Sequence, residues 1–138
     1  MTDLTPPTVL PTTLLLLTHA PSHALTAQAF TLAKTLCEAN PTTPLQVFLY
    51  SDAVMLANRL IWLPADMDNM AHEWQRLAAQ FDLTIQVCVS AALARGVTDA
   101  DNAQRHGLQG DNIAEGFVLV GLGELAMHLH QAQQVYQF

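Results

Sequence analysis

Three short apolar runs, separated by segments with helical periodicity, constrain the fold more than any other feature of this chain. The runs are Leu14–Thr18, Leu45–Tyr50 and Leu83–Val89. Continuous apolar runs of this length are typical of strands that are buried on both faces of a parallel sheet. Parallel strands need long crossover connections, and the intervening segments are long enough to form helices. The order therefore predicts a single-domain α/β protein with a mainly parallel sheet flanked by helices.

The segments between the runs show the 3.6-residue period of amphipathic helices. Ser22 is the predicted N-cap of a helix that extends to about Ala39. A second helix follows Pro64 and Asp66, and its apolar stripe predicts core packing. The stripe consists of Met67, Met70, Ala71, Trp74, Leu77, Ala78 and Phe81.

The pattern is less regular towards the end of the chain. Ser90 is the predicted N-cap of a short helix, and Thr98 with Asp101 fits the capping box of another. Residues 117–131 are ambiguous at their start and helical later, and residues 135–138 are typical of a final strand.

Length and the character of the N-terminus predict the domain organisation and location. A chain of 138 residues suits one hydrophobic core. Residues 1–12 contain three prolines and no basic residue, so we expect a flexible N-terminal extension before a domain at 13–138. No apolar run approaches the roughly 20 residues of a spanning helix. Two cysteines do not suggest a disulfide framework, and a cytoplasmic location is expected.

The charge content predicts an oligomer and argues against nucleic-acid binding. Only 12% of the residues are charged, against about a quarter in a typical soluble domain. Burying surface against other subunits would explain the shortage, and a monomer with many uncharged polar residues is the alternative. The net charge of −7, with five Lys and Arg in total, disfavours direct contact with phosphates.

Cys88 is the strongest candidate for a functional residue. In open α/β sheets, ligands bind beyond the carboxyl ends of the strands. Three turns lie there, at residues 18–22, 50–52 and 88–90, and only the third carries a strong nucleophile. Helix amides after Cys88 favour the thiolate over the neutral thiol, and Arg95 would add positive potential. The alternative is a buried, inert strand cysteine.

Other candidate residues give weaker signals. Cys37 lies beside the apolar stripe of the first helix, which favours core packing. His19 and His23 are either acid–base partners of Cys88 or solvated loop histidines. His128 and His130 are two residues apart and face different directions on a helix. No spacing matches a zinc or dinucleotide site, so no metal or cofactor is predicted.

The segment Val87–Val97, which contains Cys88, resembles the active-cysteine stretch of the DsrE/TusD-like sulfur-relay family. The likeness extends from Leu14 to the end of the chain, and it is strongest to the TusD-like subunits. Two departures are Ala53, where the family often has glycine, and Gln133-Gln134, where an acidic–Arg pair is common. Further matches are Phe48-Leu49-Tyr50, Val54, Ala57, Asn58, Asn112, Gly116-Phe117, Gly121-Leu122-Gly123-Glu124-Leu125 and Val135-Tyr136-Gln137-Phe138.

The resemblance implies a flavodoxin-like, DsrE-type fold and a sulfurtransferase that carries sulfane sulfur as a persulfide on Cys88. It implies a hexamer with TusB- and TusC-like subunits, a TusA-like sulfur donor and a TusE/DsrC-like acceptor. The relay would end in 2-thiouridine at the wobble position of tRNA, or, alternatively, serve sulfur oxidation as in DsrE-type complexes. Two further alternatives are a structural subunit with a silent Cys88 and a nucleotide-binding module.

Overall fold

The computed structural model describes residues 12–42 and 44–138. Its strands are β1 (Thr13–Leu17), β2 (Leu45–Leu49), β3 (Ile85–Cys88), β4 (Phe117–Val120) and β5 (Gln134–Gln137). Its α-helices are α1 (Ala24–Ala39), α2 (Met70–Phe81), α3 (Val89–Ala94), α4 (Ala100–Arg105) and α5 (Leu122–Gln131), and residues Ser51–Ala57 form a 3₁₀ helix. No helix in this part of the chain is long and apolar enough to cross a membrane.

The strands form one sheet in the order β4-β3-β2-β1-β5, and every pairing is parallel. The prediction of a single α/β domain with a mainly parallel sheet is therefore confirmed. The predicted extension at residues 1–12 lies outside the described residues except for Thr12. The carbonyl of Thr12 accepts hydrogen bonds from the amides of Gln133 and Gln134, at 2.9 and 3.2 Å.

The strand order places the helices unequally on the two faces of the sheet. From β1 to β4 each strand lies beside its predecessor, so right-handed crossovers put α1, α2, α3 and α4 on one face. The step from β4 to β5 runs back across the whole sheet, which puts α5 on the other face. We call these the helical face and the α5 face. Among the described elements, α5 alone covers the latter.

The core fills the helical face and the centre of the sheet. Trp74 of α2 is fully buried, and its ring meets Phe30 edge to face with centroids 5.7 Å apart. The predicted apolar stripe of α2 is confirmed for Ala71, Trp74, Leu77 and Ala78, which are buried. Met67 was predicted wrongly: it precedes α2 and is 55% exposed, because Asn69 caps the helix.

Two other helices begin at residues that differ from the predicted caps. His23, not Ser22, caps α1, because its ring nitrogen accepts a hydrogen bond from an amide of the first turn at 3.0 Å. Asp99, not Thr98, caps α4, because its carboxylate accepts from the Asn102 amide at 2.8 Å. In both cases the preceding residue remains outside the helix.

Candidate functional site

Cys88 lies at the junction of β3 and α3. It is the last residue of β3 and the N-cap of α3, in an extended conformation with φ −60° and ψ 117°. The helix therefore begins earlier than predicted, and Ser90 is its second residue rather than its cap. The thiol thus lies at the end of the strand, at the carboxyl edge of the sheet where α/β proteins bind ligands.

The topology makes this junction the switch point of the sheet. After β3 the chain turns to the helical face, whereas after the adjacent β4 it turns to the α5 face. The crevice of an open α/β sheet forms between two strands whose connections diverge in this way. Cys88 is the register partner of Val120, the last residue of β4, so it lies at this crevice.

Two helices begin beside the thiol. The first amides of α3 follow Cys88, and α5 begins after Gly121, the residue next to the register partner of Cys88. The first amides of a helix have no intrahelical acceptors and carry partial positive charge. The arrangement therefore favours an anion at the crevice, and the α5 contribution was not predicted from the sequence.

The Cys88 thiol is nevertheless covered. Its residue is 1% exposed and belongs to the hydrophobic core cluster. Alternation along β3 places Cys88 on the same face as Gln86, the α5 face. A partner thiol could reach Cys88 only after a local rearrangement, which the sequence did not indicate.

The charge of Arg95 is paired with a carboxylate. Its Nε donates to the carboxylate of Asp52 at 3.0 Å, and this ion pair joins the end of α3 to the 3₁₀ helix. The same region is held by Asn112, whose side-chain amide donates to Asn58 Oδ1 at 3.1 Å and to the Gly96 carbonyl at 2.9 Å. These contacts give Arg95, Asn58 and Asn112 a structural role in positioning α3.

His19 and His23 are engaged at the start of α1. His23 is the cap described above, and the two rings lie with centroids 4.2 Å apart. Both residues follow β1, which β2 separates from β3. At a strand spacing of about 4.8 Å, the two strands are about 10 Å apart. The structure does not bring these histidines together with Cys88.

His128, by contrast, contacts the strand that carries Cys88. Its Nε2 lies 2.7 Å from Oε1 of Gln86, across the interface between α5 and the sheet. This contact was not predicted from the sequence, where the spacing of His128 and His130 was weighed only for a metal site. A signal was present, since Glu124, Leu125 and His128 share one side of a helix by their spacing.

Cys37 lies in the core, as predicted. It is buried in α1, and burial, together with the neighbouring Glu38 carboxylate, raises the pKa of the Cys37 thiol. A neutral, buried thiol is unsuited to nucleophilic attack. In the part of the chain that the structure describes, no group of three His, Cys, Asp or Glu side chains could hold a metal ion.

An open cavity of ≈ 630 Å³ lies at the opposite edge of the sheet from Cys88. Its lining includes Leu83 and Gly116, which precede β3 and β4, together with Arg76 and Glu115. The cavity is therefore at the amino ends of these strands and does not contribute to the thiol site.

Comparisons with known proteins agree with this architecture. A solved structure, the ychN protein from E. coli, superposes with a TM-score of 0.76 at 21% identity, covering 94% of this chain and 100% of that chain. This likeness shows the fold.

Curated relatives are closer in sequence. "Sulfurtransferase TusD" from Pectobacterium carotovorum is 44% identical over 92 residues, which cover 67% of this chain and 71% of the relative. "Sulfurtransferase TusD" from Proteus mirabilis is 38% identical over 112 residues, covering 81% of this chain and 85% of the relative. The predicted sulfurtransferase agrees with the name that these relatives carry.

The family model for DsrE/DsrF-like proteins matches residues 12–138. Because that match spans nearly all of the chain and the curated relatives exceed 30% identity, the chain belongs to the DsrE/DsrF-like family.

Proposed function

We propose that this protein is a sulfurtransferase subunit that carries sulfane sulfur as a persulfide on Cys88. The observation that carries the proposal is the position of Cys88 at the switch point of the sheet, with two helix N-termini beside it. The names of the TusD relatives support sulfur transfer as the activity. The end product proposed for the relay is 2-thiouridine at the wobble position of tRNA.

The transfer step needs only one thiolate on this chain. The Cys88 thiolate attacks the outer sulfur of a donor persulfide, the donor's S–S bond breaks, and a new S–S bond forms on Cys88. The inner sulfur of the donor leaves as a thiolate and takes up the proton that Cys88 lost. In the second half-reaction an acceptor thiolate attacks the outer sulfur on Cys88 in the same way. Each exchange is balanced and needs no external oxidant.

The partners follow from the same proposal. They are TusB- and TusC-like subunits in a hexamer, a TusA-like donor and a TusE/DsrC-like acceptor, all in the cytoplasm. Exposed large apolar side chains on α5 and on both edge strands support assembly, because apolar surface left open on a monomer marks protein interaction sites. We call these side chains the α5 patch, and they are Val118, Leu122, Met127, Leu129 and Val135.

A second candidate is a non-catalytic subunit of such a complex, in tRNA thiolation or in DsrE-type sulfur oxidation. The burial of Cys88 favours it, because a thiol that is 1% exposed is closed to a partner protein. The two candidates differ in whether Cys88 is chemically required.

The first prediction separates them by substitution of the two cysteines. Incubation of the full chain with a persulfide donor should add one sulfur atom, about 32 Da, at Cys88 by the exchange chemistry above. Cys88→Ser should abolish loading and delivery to an acceptor thiol, because a hydroxyl is too weak a nucleophile for this exchange. Intact-mass spectrometry with peptide mapping measures both.

Cys37→Ser is the matched control and should retain loading, because Cys37 lies in the core away from the crevice. Circular dichroism should show that both variants keep the fold. Undiminished relay through the Cys88→Ser protein would reject the carrier and leave the non-catalytic subunit.

A further inference from the structure

The α5 helix lies on the sheet face to which strand alternation assigns Cys88. Positions at the centre of the α5 face are closed to solvent, with Phe48 on β2 at 0% exposure and Cys88 on β3 at 1%. Positions on the same face of the edge strands are open, with Val118 at 47% and Val135 at 45%. Since α5 is the described element on this face, we infer that α5 shields the central strands and leaves the edges uncovered.

This cover is weakly packed. None of the ten residues of α5 is buried, although three inward positions, Glu124, Leu125 and His128, are half-buried. Segments with few buried apolar contacts open at a lower free-energy cost than the core does. Local opening of α5 is therefore a low-cost route from solvent to the Cys88 thiol.

One side-chain hydrogen bond fastens α5 to the sheet in the described residues: His128 to Gln86, at 2.7 Å. The contact involves Oε1 of Gln86, which accepts, so Nε2 of His128 carries the proton and donates. Gln86 is two residues before Cys88 on the same face of β3. The bond therefore holds α5 down over the strand that bears the thiol.

The start of α5 is suited to movement. Gly121 is its N-cap and Gly123 lies in its first turn, and a Cβ at either position would meet nothing within 4 Å. Gly121 has an ordinary φ of −79°. Crowding therefore does not require glycine at either position, and a left-handed backbone does not require it at Gly121. What glycine supplies here is backbone freedom.

We propose that His128 is a positioning residue that latches α5 over Cys88 through Gln86, and that release of this latch admits the sulfur donor and acceptor. The inference rests on the proposed carrier role of Cys88. In the latched state the thiol and its persulfide are shielded from water and from unrelated thiols. A partner that engages α5 would release the latch and open the crevice at the moment of transfer.

The test is the rate of iodoacetamide alkylation of the full chain, resolved by peptide mapping into Cys88 and Cys37. In His128→Ala the Cys88 rate should rise between about twofold and tenfold, the factor expected from loss of one net hydrogen bond when opening precedes reaction. His128→Gln retains an N–H donor of similar reach and should return the rate towards that of the unsubstituted protein. His130→Ala, an exposed neighbour on the same helix, is the matched control and should not change it.

The alkylation rate of Cys37 measures general loosening of the fold, because Cys37 is buried in α1 on the helical face. If His128 latches α5, the alkylation rate in His128→Ala should rise at Cys88 alone. An unchanged Cys88 rate in His128→Ala, or an equal rise at both cysteines, would overturn the proposal. Replacing both Gly121 and Gly123 with Ala should slow alkylation of Cys88, and an unchanged or faster rate would likewise contradict it.

This experiment uses no sulfur donor, so its outcome is independent of whether Cys88 carries sulfur. If the latch experiment contradicts the proposal but Cys88→Ser abolishes sulfur loading, the proposed function still stands. If the latch experiment supports the proposal but sulfur loading survives in Cys88→Ser, Cys88 is a gated cysteine without a carrier role.

Discussion

Two cysteines in one chain illustrate how placement decides chemistry at the residue scale. Both are almost fully buried, at 4% for Cys37 and 1% for Cys88. Cys37 lies within a helix, where its own backbone amide takes part in the helix and Glu38 adds negative charge nearby. Cys88 instead caps the N-terminus of α3 at the edge of the sheet, and α5 begins one residue after its register partner Val120. Burial therefore gives an inert thiol in α1 and a shielded candidate nucleophile at the switch point.

The raised pKa of Cys37 predicts a specific pH dependence of stability. Its causes are burial, first, and the Glu38 carboxylate, second. The folded protein holds the thiol proton more tightly than the unfolded chain does. This contribution to stability is fully present below the unfolded-state pKa of about 8.5 and is lost as the pH rises from there through the folded-state pKa.

Urea unfolding at pH 7 and pH 10 should therefore show a smaller alkaline loss of stability in Cys37→Ala than in the unsubstituted protein. Comparing the two proteins removes the contribution of every group that they share. An equal loss in both proteins would show that Cys37 does not resist ionisation in the folded state.

At the scale of elements, local capping contacts determine where each helix begins. The carboxylate of Asp99 accepts from the Asn102 amide at 2.8 Å and from the Asn102 side-chain amide at 2.9 Å. Thr98 is buried, and its hydroxyl donates to the Asp99 carbonyl at 2.8 Å, so it supports the cap without being the cap. The short α4 therefore depends on one carboxylate.

Asp99→Ala should lower the free energy of unfolding by about 1 kcal/mol, the usual cost of removing such a cap. Asp101→Ala is the matched control, because Asp101 is exposed in the first turn and makes no capping contact. Its effect should be smaller, since only a charge near the helix N-terminus is lost. Urea denaturation measures both, and equal losses would contradict the assignment of Asp99.

At the scale of the whole molecule, the unequal coverage of the two sheet faces is the main feature. The helical face is closed by four helices and the 3₁₀ helix, whereas α5 covers only the centre of the other face. The segment 117–138 contains a single charged residue, Glu124, although the chain carries a net charge of −7. An apolar, nearly uncharged surface on an acidic protein is suited to contact with another subunit.

Met127→Glu should therefore weaken assembly, because it places a charge in the α5 patch. Native mass spectrometry of the protein, alone and with its partner subunits, should show a multimer that this substitution dissociates. Gln131→Glu is the matched control, since Gln131 is an exposed polar residue of the same helix. A monomer under both conditions, or a multimer indifferent to Met127→Glu, would contradict a role of the α5 patch in assembly.

The sequence by itself determined three of the strands, the apolar stripe of α2 and the candidate nucleophile. Continuous apolar runs can be buried only within a sheet that is covered on both sides, so three strands and their parallel pairing followed from hydrophobicity alone. The stripe of α2 followed from its 3.6-residue period. Cys88 was found because a nucleophile at the end of a predicted strand is placed at the functional edge of the sheet.

Only the tertiary structure decided how these parts meet. The separation of residues 117–131 into β4 and α5 was decided by pairing with β3, which a local pattern does not contain. The return from β4 to β5 put α5 on the opposite face, and this crossover brought His128 to Gln86, two residues before Cys88. Contacts between residues 42 positions apart depend on strand order. Strand order is decided by the packing of the whole chain rather than by local hydrophobic periodicity.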